Sequence, residues 1–364
     1  MSFTAQEDFK LIDWIVQNIS KAKHDLVSTG LDPPSLKDMG IELTYDEFKR
    51  NKALKLEESI GRAYDVPSKE VAAAGGCTLA LFLIFATFLK PNDEVVIPMP
   101  NYPTEFMVPK VLGARVKKVE TNFDNSFALD IGEMESAISK NTKMLILTNS
   151  NNPTGMKLAR RDMEKLAEIT SRTGTFMLVD ETFREFAENP APLARTLGDH
   201  VLATNTMAKY FGMGDLKVGW IIAHDELIQK IQAVNRWVSI NVGPFPAWAV
   251  AKIIENKSKF DHRASYVMKT NLQIARDFFK NNIEHFDWVE PDGAPICFPR
   301  FNLPMSSFAL CKTLIEEFGI FLSPGEFFER EGCVRISFPG EPDHVRRGFE
   351  SLGKAILELT NDRT

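Results

Sequence analysis

Lys209 lies between a strand-like run, Val201 to Thr206, and a turn rich in glycine that includes Gly212 and Gly214. Two further groups follow apolar runs upstream of it. Asn152 begins an Asn152-Pro153-Thr154-Gly155 turn, and Asp180 comes directly after Phe176-Met177-Leu178-Val179. Polar residues that end successive strands meet at one edge of a sheet. There an amine, a carboxylate and an amide can act on one molecule. A lysine amine condenses with an aldehyde and, once displaced, moves a proton; a carboxylate keeps a heterocyclic nitrogen protonated. Alone, a lysine is usually a solvated surface group, and Asn-Pro and Asp are ordinary turn and cap residues. The ordered set carries the inference.

A fourth feature binds anions. Gly76-Cys77-Thr78 stands between a short strand and an apolar helix, Cys77 to Leu89. Backbone amides at a helix N-terminus and the Thr78 hydroxyl can cradle a phosphate dianion. A Schiff-base lysine, an acid for a ring nitrogen and a phosphate cradle are the protein side of pyridoxal 5'-phosphate (PLP) chemistry. In order and spacing the set resembles the fold-type I PLP-dependent aminotransferases of the class I/II family, the aspartate and histidinol-phosphate aminotransferase-like group. The resemblance covers nearly the whole chain.

That resemblance implies a role for each matching residue. Lys209 would form the internal aldimine and carry the α-proton, and Asp180 would pair with the pyridine nitrogen. Asn152 would donate to the phenolic oxygen of the ring. Gly76, Cys77 and Thr78 match the phosphate cup, and Thr206 and Lys217, three residues before and eight after the lysine, match further phosphate ligands. Tyr102, in Pro100-Asn101-Tyr102-Pro103, matches the aromatic that stacks on the ring. Tyr45 resembles the tyrosine that reaches the neighbouring subunit's phosphate, which implies a homodimer with shared active sites. Arg335, in Val334-Arg335-Ile336-Ser337-Phe338, matches the clamp on the substrate carboxylate. A guanidinium pairs bidentately with a carboxylate, and an arginine in an apolar strand is costly without an anionic partner.

Two positions depart from the pattern. Phe183 stands three residues after Asp180, where tyrosine is usual, and a phenyl ring donates no hydrogen bond. Asn152 is then the main donor to the phenolate, and the aldimine pKa is expected to lie higher, so that Phe183→Tyr would lower it in a spectroscopic titration. Lys217 replaces an arginine and keeps the charge without the bidentate fork. The stretch Ile240 to Pro246, where one aspartate-specific subgroup carries a second arginine, contains none. That argues against a dicarboxylate-specific enzyme of that subgroup.

The elements that must position these groups alternate along the chain. Glu70–Ala74, Glu94–Pro98, Ala114–Val119, Lys143–Thr148, Thr175–Val179, Val201–Thr206 and Val218–Ala223 read as strands. Glu133–Lys140 and Ala159–Thr173 read as helices between them. This is an α/β pattern: a mostly parallel sheet, seven-stranded in the family it resembles, between helices. Helical spacing marks residues 5–22, with Thr4 as a cap, and Lys55–Tyr64. After Trp237 the texture becomes α+β: a long helix from Pro246 to Asn281, strands at Trp288-Val289, Ile296–Phe298 and Val334–Phe338, and helices at Ser306–Phe318 and His344–Leu359. The expected division is a large PLP-binding domain, residues 41–245, and a discontinuous small domain, residues 1–40 and 246–364.

Composition sets the outer limits. The chain has 364 residues, 44% hydrophobic and 25% charged, as expected for a packed enzyme of two domains. A net charge of -6 gives no basic footprint for nucleic acid. The four cysteines are scattered without metal or disulfide spacing, which points to reduced thiols in the cytoplasm. Residues 1–8 lack a basic start before an apolar stretch, so no secretory leader is expected, and no run reaches the roughly 20 residues of a bilayer span. The leading expectation is amino-group exchange between an L-amino acid and a 2-oxo acid through pyridoxamine phosphate. The same residues would serve a PLP-dependent lyase, by β-elimination or by decarboxylation of an amino-acid phosphate. A non-catalytic PLP-fold binding protein would need a lost lysine or an added domain, and the sequence has neither.

Overall fold

The computed structural model describes residues 9–361. Its centre is a seven-stranded sheet: β1 (Val71–Ala74), β2 (Glu94–Met99), β3 (Arg115–Glu120), β4 (Thr142–Thr148), β5 (Phe176–Asp180), β6 (Val201–Thr206) and β7 (Gly219–Ile222). The spatial order is β1-β7-β6-β5-β4-β2-β3. Only β7 runs antiparallel to its neighbours β1 and β6. All seven strands expected from the sequence are present, with ends within about a residue or two, the usual scatter of boundaries.

Successive side chains of a strand point to opposite faces, and both faces here are buried. Leu145, Leu147, Met177, Val179 and Ala203 enter one core, under the Arg160–Thr173 and Leu56–Tyr64 helices. Met144, Ile146, Leu178 and Leu202 enter the other, beneath the Cys77–Phe88 and Asp225–Val238 helices. The Cys77–Phe88 helix is apolar nearly all round because it is packed on nearly all sides.

A separate core joins the two ends of the chain. Leu11 and Trp14 of the Lys10–Asn18 helix, together with Leu26 and Val27, pack with Ile274, Phe278, Phe349 and Ile356. A small antiparallel sheet completes this unit, with β8 (Ile296–Cys297), β9 (Ser323–Pro324) and β10 (Val334–Ser337) in the order β8-β10-β9. The Thr4 cap and the first residues of the expected N-terminal helix lie outside the described residues.

Two expectations for the C-terminal part change. The helix from Pro246 is two helices, Pro244–Glu255 and Lys257–Asn281, parted at Asn256, whose side chain donates to the Lys252 carbonyl at 2.9 Å. Such local side-chain bonding competes with helix continuation. Trp288-Val289 is not a strand; Phe286–Asp287 pairs with Arg300–Phe301 instead, and the Trp288 ring stacks on Phe279 at 4.4 Å. The two cores share the long helix. Val250, Ile253, Phe260 and Val267 join the core of the large sheet, whereas Ile274 and Phe278 of the same long helix face the small core.

Candidate active site

Strand register builds the floor of the site. Thr148 of β4 is paired with Asp180 of β5, and Asp180 with Thr204 of β6, so three polar side chains lie side by side near the ends of three adjacent strands. The antiparallel β7 brings a second group to the same edge. Its first residue, Gly219, is paired with Ala74 at the end of β1 and with Thr206 at the end of β6. The Gly76 turn, Thr206 and Lys217 therefore converge although they are distant in sequence. Gly219 must lack a side chain: a Cβ there would lie 2.7 Å from the Gly76 carbonyl carbon and 2.8 Å from the Cys77 nitrogen.

Above this edge is a cavity of about 550 Å³, within the usual size for a cofactor or small-molecule site. Gly76, Cys77, Thr78, Tyr102, Asn152, Asp180, Phe183, Thr206, Lys209, Lys217 and Arg335 all line it. The exception among the predicted residues is Tyr45. It lies outside this cavity, 61% exposed, with its ring against Phe48 and Phe245.

Asp180 is buried, and its Oδ1 accepts from the Thr182 backbone N–H at 3.0 Å, the Thr182 hydroxyl at 2.6 Å and the Thr204 hydroxyl at 3.1 Å. Cys77 adds its thiol at 3.4 Å. Burial pushes the Asp180 carboxyl upward, and these donors oppose the shift. Burial, with Asp180 beside it, holds the Cys77 thiol well above its ordinary value, so it stays a neutral donor. The Lys209 amine is within 2.7 Å of the Thr29 hydroxyl. Burial, reinforced by the Arg335 charge, lowers its pKa to about 8. Near neutral pH about a tenth is then the free nucleophile, far more than for a solvated lysine.

The roof comes from the small unit. Arg335, on β10, donates to Asn152 Oδ1 at 3.1 Å, to the Val27 carbonyl at 3.0 Å and to Ser323 Oγ at 3.1 Å. Burial lowers its pKa to about 10, which leaves it a cation at neutral pH. Its Nε is buried without a partner. The segment of residues 27–31 closes over the lysine, with the Leu31 N–H donating to the Lys209 carbonyl at 2.9 Å. Gly30 permits that approach, since a Cβ would come within 2.3 Å of the Ala208 oxygen.

Several members of the site escaped the sequence reading. Thr29, Thr182 and Thr204 are ordinary hydroxyl residues with no motif around them, and Thr29 lies 180 positions from the amine it meets. Glu105 is a lone acid within the Pro103–Val111 helix, and its only signal is its place among apolar neighbours.

The donor set fits PLP. A buried amine of lowered pKa, a donor-braced carboxylate, the free amides at the N-terminus of the Cys77–Phe88 helix and an unspent guanidinium N–H share one cavity. The architecture is that of the fold-type I PLP enzymes. The family model described as aminotransferase class I and II matches residues 17–352, and the chain belongs to that family, whose cofactor is PLP. It is 29% identical over 327 residues to an aspartate aminotransferase of Sulfurisphaera tokodaii, covering 83% of this chain and 79% of that one. It is 24% identical to capreomycidine synthase of Streptomyces vinaceus, covering 95% and 93%. A crystal structure of a PLP-dependent aminotransferase from Streptococcus suis superposes with a TM-score of 0.91 over 99% of both chains, at 23% identity. The protein is a PLP-dependent aminotransferase. Among the described residues, no helix is long and apolar enough to cross a membrane.

Proposed function

We propose that this cavity exchanges the amino group of an L-amino acid with a 2-oxo acid, with Lys209 moving the proton and Arg335 holding the carboxylate of each substrate in turn. The observation that carries the reading is the convergence of Lys209, Asp180, Asn152 and Arg335 on one cavity from segments far apart in the chain. When bound, PLP supplies the electron sink that makes the substrate Cα–H acidic. Asp180 holds the ring nitrogen, and its ionised state is favoured by the donors on Oδ1. Asn152 spends its carbonyl oxygen on Arg335, which leaves its NH₂ to donate to the ring oxygen. Gly76, Cys77 and Thr78 supply amides and a hydroxyl to the phosphate, with Thr206 and Lys217 beside them. Tyr102 and Phe183 form apolar walls that keep water from the reacting carbon.

The domain division is part of the same reading: a large unit around the seven-stranded sheet and a small unit from both chain ends, exchanging within the Lys257–Asn281 helix. The protein acts in this reading as a cytoplasmic homodimer. Tyr45, Trp237 and Ile240 are 61%, 92% and 71% exposed, an apolar surface suited to a second copy that Tyr45 would enter. Among the described residues, Arg335 is the only cation on the cavity besides Lys209 and Lys217, and Leu11, Ile12 and Ile15 are among its lining. That favours amino donors with uncharged side chains.

An absorbance titration tests the reading. Protein loaded with PLP should be yellow, lose that band on adding an amino acid and regain it on adding a 2-oxo acid. Release of ammonia or carbon dioxide without that reversal would identify a lyase instead.

A further inference from the structure

The Lys10–Asn18 helix carries more apolar surface than its anchoring needs. Leu11, Trp14 and Asn18 are buried on one side, and the Trp14 indole N–H donates to the Leu322 carbonyl at 2.9 Å. That bond fixes which face the helix turns to the small core. A second set, Ile12, Ile15, Val16 and then Ile19 just past the helix end, repeats at the same i, i+3, i+4, i+7 spacing. Ile12, Val16 and Ile19 are exposed, where a surface helix ordinarily shows polar residues to water. Ile12 and Ile15 line the active-site cavity together with Leu11. Leu11 and Ile15 stand one above the other, four residues apart, and Ile12 lies beside them, so the three form a continuous apolar wall.

Two contacts tie this helix to the reacting groups. Just before it, the Phe9 ring meets Tyr102 edge-on, with centroids 6.2 Å apart. Val27, in the same core as Leu11, offers its carbonyl to Arg335 at 3.0 Å. Charge points the same way as the apolar wall. In the proposed reading Lys209 moves the proton, Lys217 serves the phosphate and Arg335 holds the α-carboxylate. Among the described residues, no further cation lines the cavity to receive a second carboxylate. Asp32, an acid that also lines it, would repel one.

Building on the reading that this cavity exchanges amino groups, we propose that Ile12 and Ile15 determine specificity and that the amino donor is an L-amino acid with a long apolar side chain, which covers them on binding. Each CH₂ that reaches the wall leaves water, a gain of about fourfold in affinity.

The series alanine, 2-aminobutyrate, norvaline and norleucine tests this, with discharge of the yellow band of the PLP-loaded protein as the readout. In the wild type the second-order rate constant should rise about fourfold per CH₂, about 60-fold from alanine to norleucine. Norleucine should also react faster than aspartate or glutamate. Ile12→Ser and Ile15→Ser should each lower the norleucine-to-alanine ratio by about fivefold or more, because each removes apolar contact. Val16→Ser changes the same helix outside the cavity lining and should keep the wild-type ratio. A flat series, a faster reaction with aspartate or glutamate, unchanged ratios in I12S and I15S, or an equal fall in V16S would overturn the proposal and leave amino exchange standing. A yellow band that no amino acid discharges would refute the exchange reading itself, and the wall's role with it.

Discussion

The floor and the roof of the cavity are built in different ways. Thr148, Asp180, Thr204 and Thr206 lie at or near the ends of three neighbouring strands of one sheet, so the backbone ladder fixes their relative places. Arg335 and Thr29 come from the small unit, and they meet the floor through single side-chain contacts, at 3.1 Å to Asn152 and 2.7 Å to Lys209. A ladder of many hydrogen bonds resists displacement better than one contact does. In the proposed reading, chemistry that needs fixed geometry sits on the sheet, and recognition of a substrate that must enter and leave sits on the segment that can yield.

If that division is right, floor variants abolish turnover and roof variants mainly weaken binding. Lys209→Ala should lower turnover by at least about 10⁴-fold, since it removes both the covalent anchor and the proton carrier. Arg335→Ala should leave the yellow band intact while kcat/KM falls about 10²- to 10³-fold, on the order of 3–4 kcal/mol. A colourless R335A protein would contradict the separation of floor from roof. The rate of adduct formation with added PLP should rise with pH and level off above about 8, where the buried amine is neutral. A rate still climbing toward the ordinary lysine pKa would show that the amine is solvated. Thr29→Val removes an acceptor for the charged amine. It should move that midpoint lower by a fraction of a unit, since one such bond contributes about 1 kcal/mol or less. The smallest effect is expected from Phe183→Tyr, a floor change at a buried wall, which should lower the pKa of the yellow band. An unchanged titration would mean that Asn152 already saturates the ring oxygen.

Most of the floor was legible in the chain. Strand-like runs ending in Asn, Asp, Thr and Lys announced a polar sheet edge, and the glycines flagged the close turns. Tyr45 was readable only as a residue that leaves its own cavity. Arg335 of the roof was legible too, as an arginine inside an apolar strand, but Thr29 and the supporting hydroxyls were not, because a threonine at position 29 or 204 looks like any other until the fold supplies its neighbour. The split at Asn256 was missed for a related reason: the apolar period runs on through it, while the side chain there bonds the backbone locally.

By itself the sequence determined the alternation of strands and helices, Lys209, the strand-end Asp180 and the Gly76-Cys77-Thr78 turn, because each is a local pattern of residue types. The tertiary structure alone decided that Thr29 meets Lys209, that Arg335 is braced by Asn152, and that Cys77 meets Asp180. Those contacts join segments far apart in the chain. Their energies depend on burial and on the count of donors, and both exist only once the chain has closed on itself.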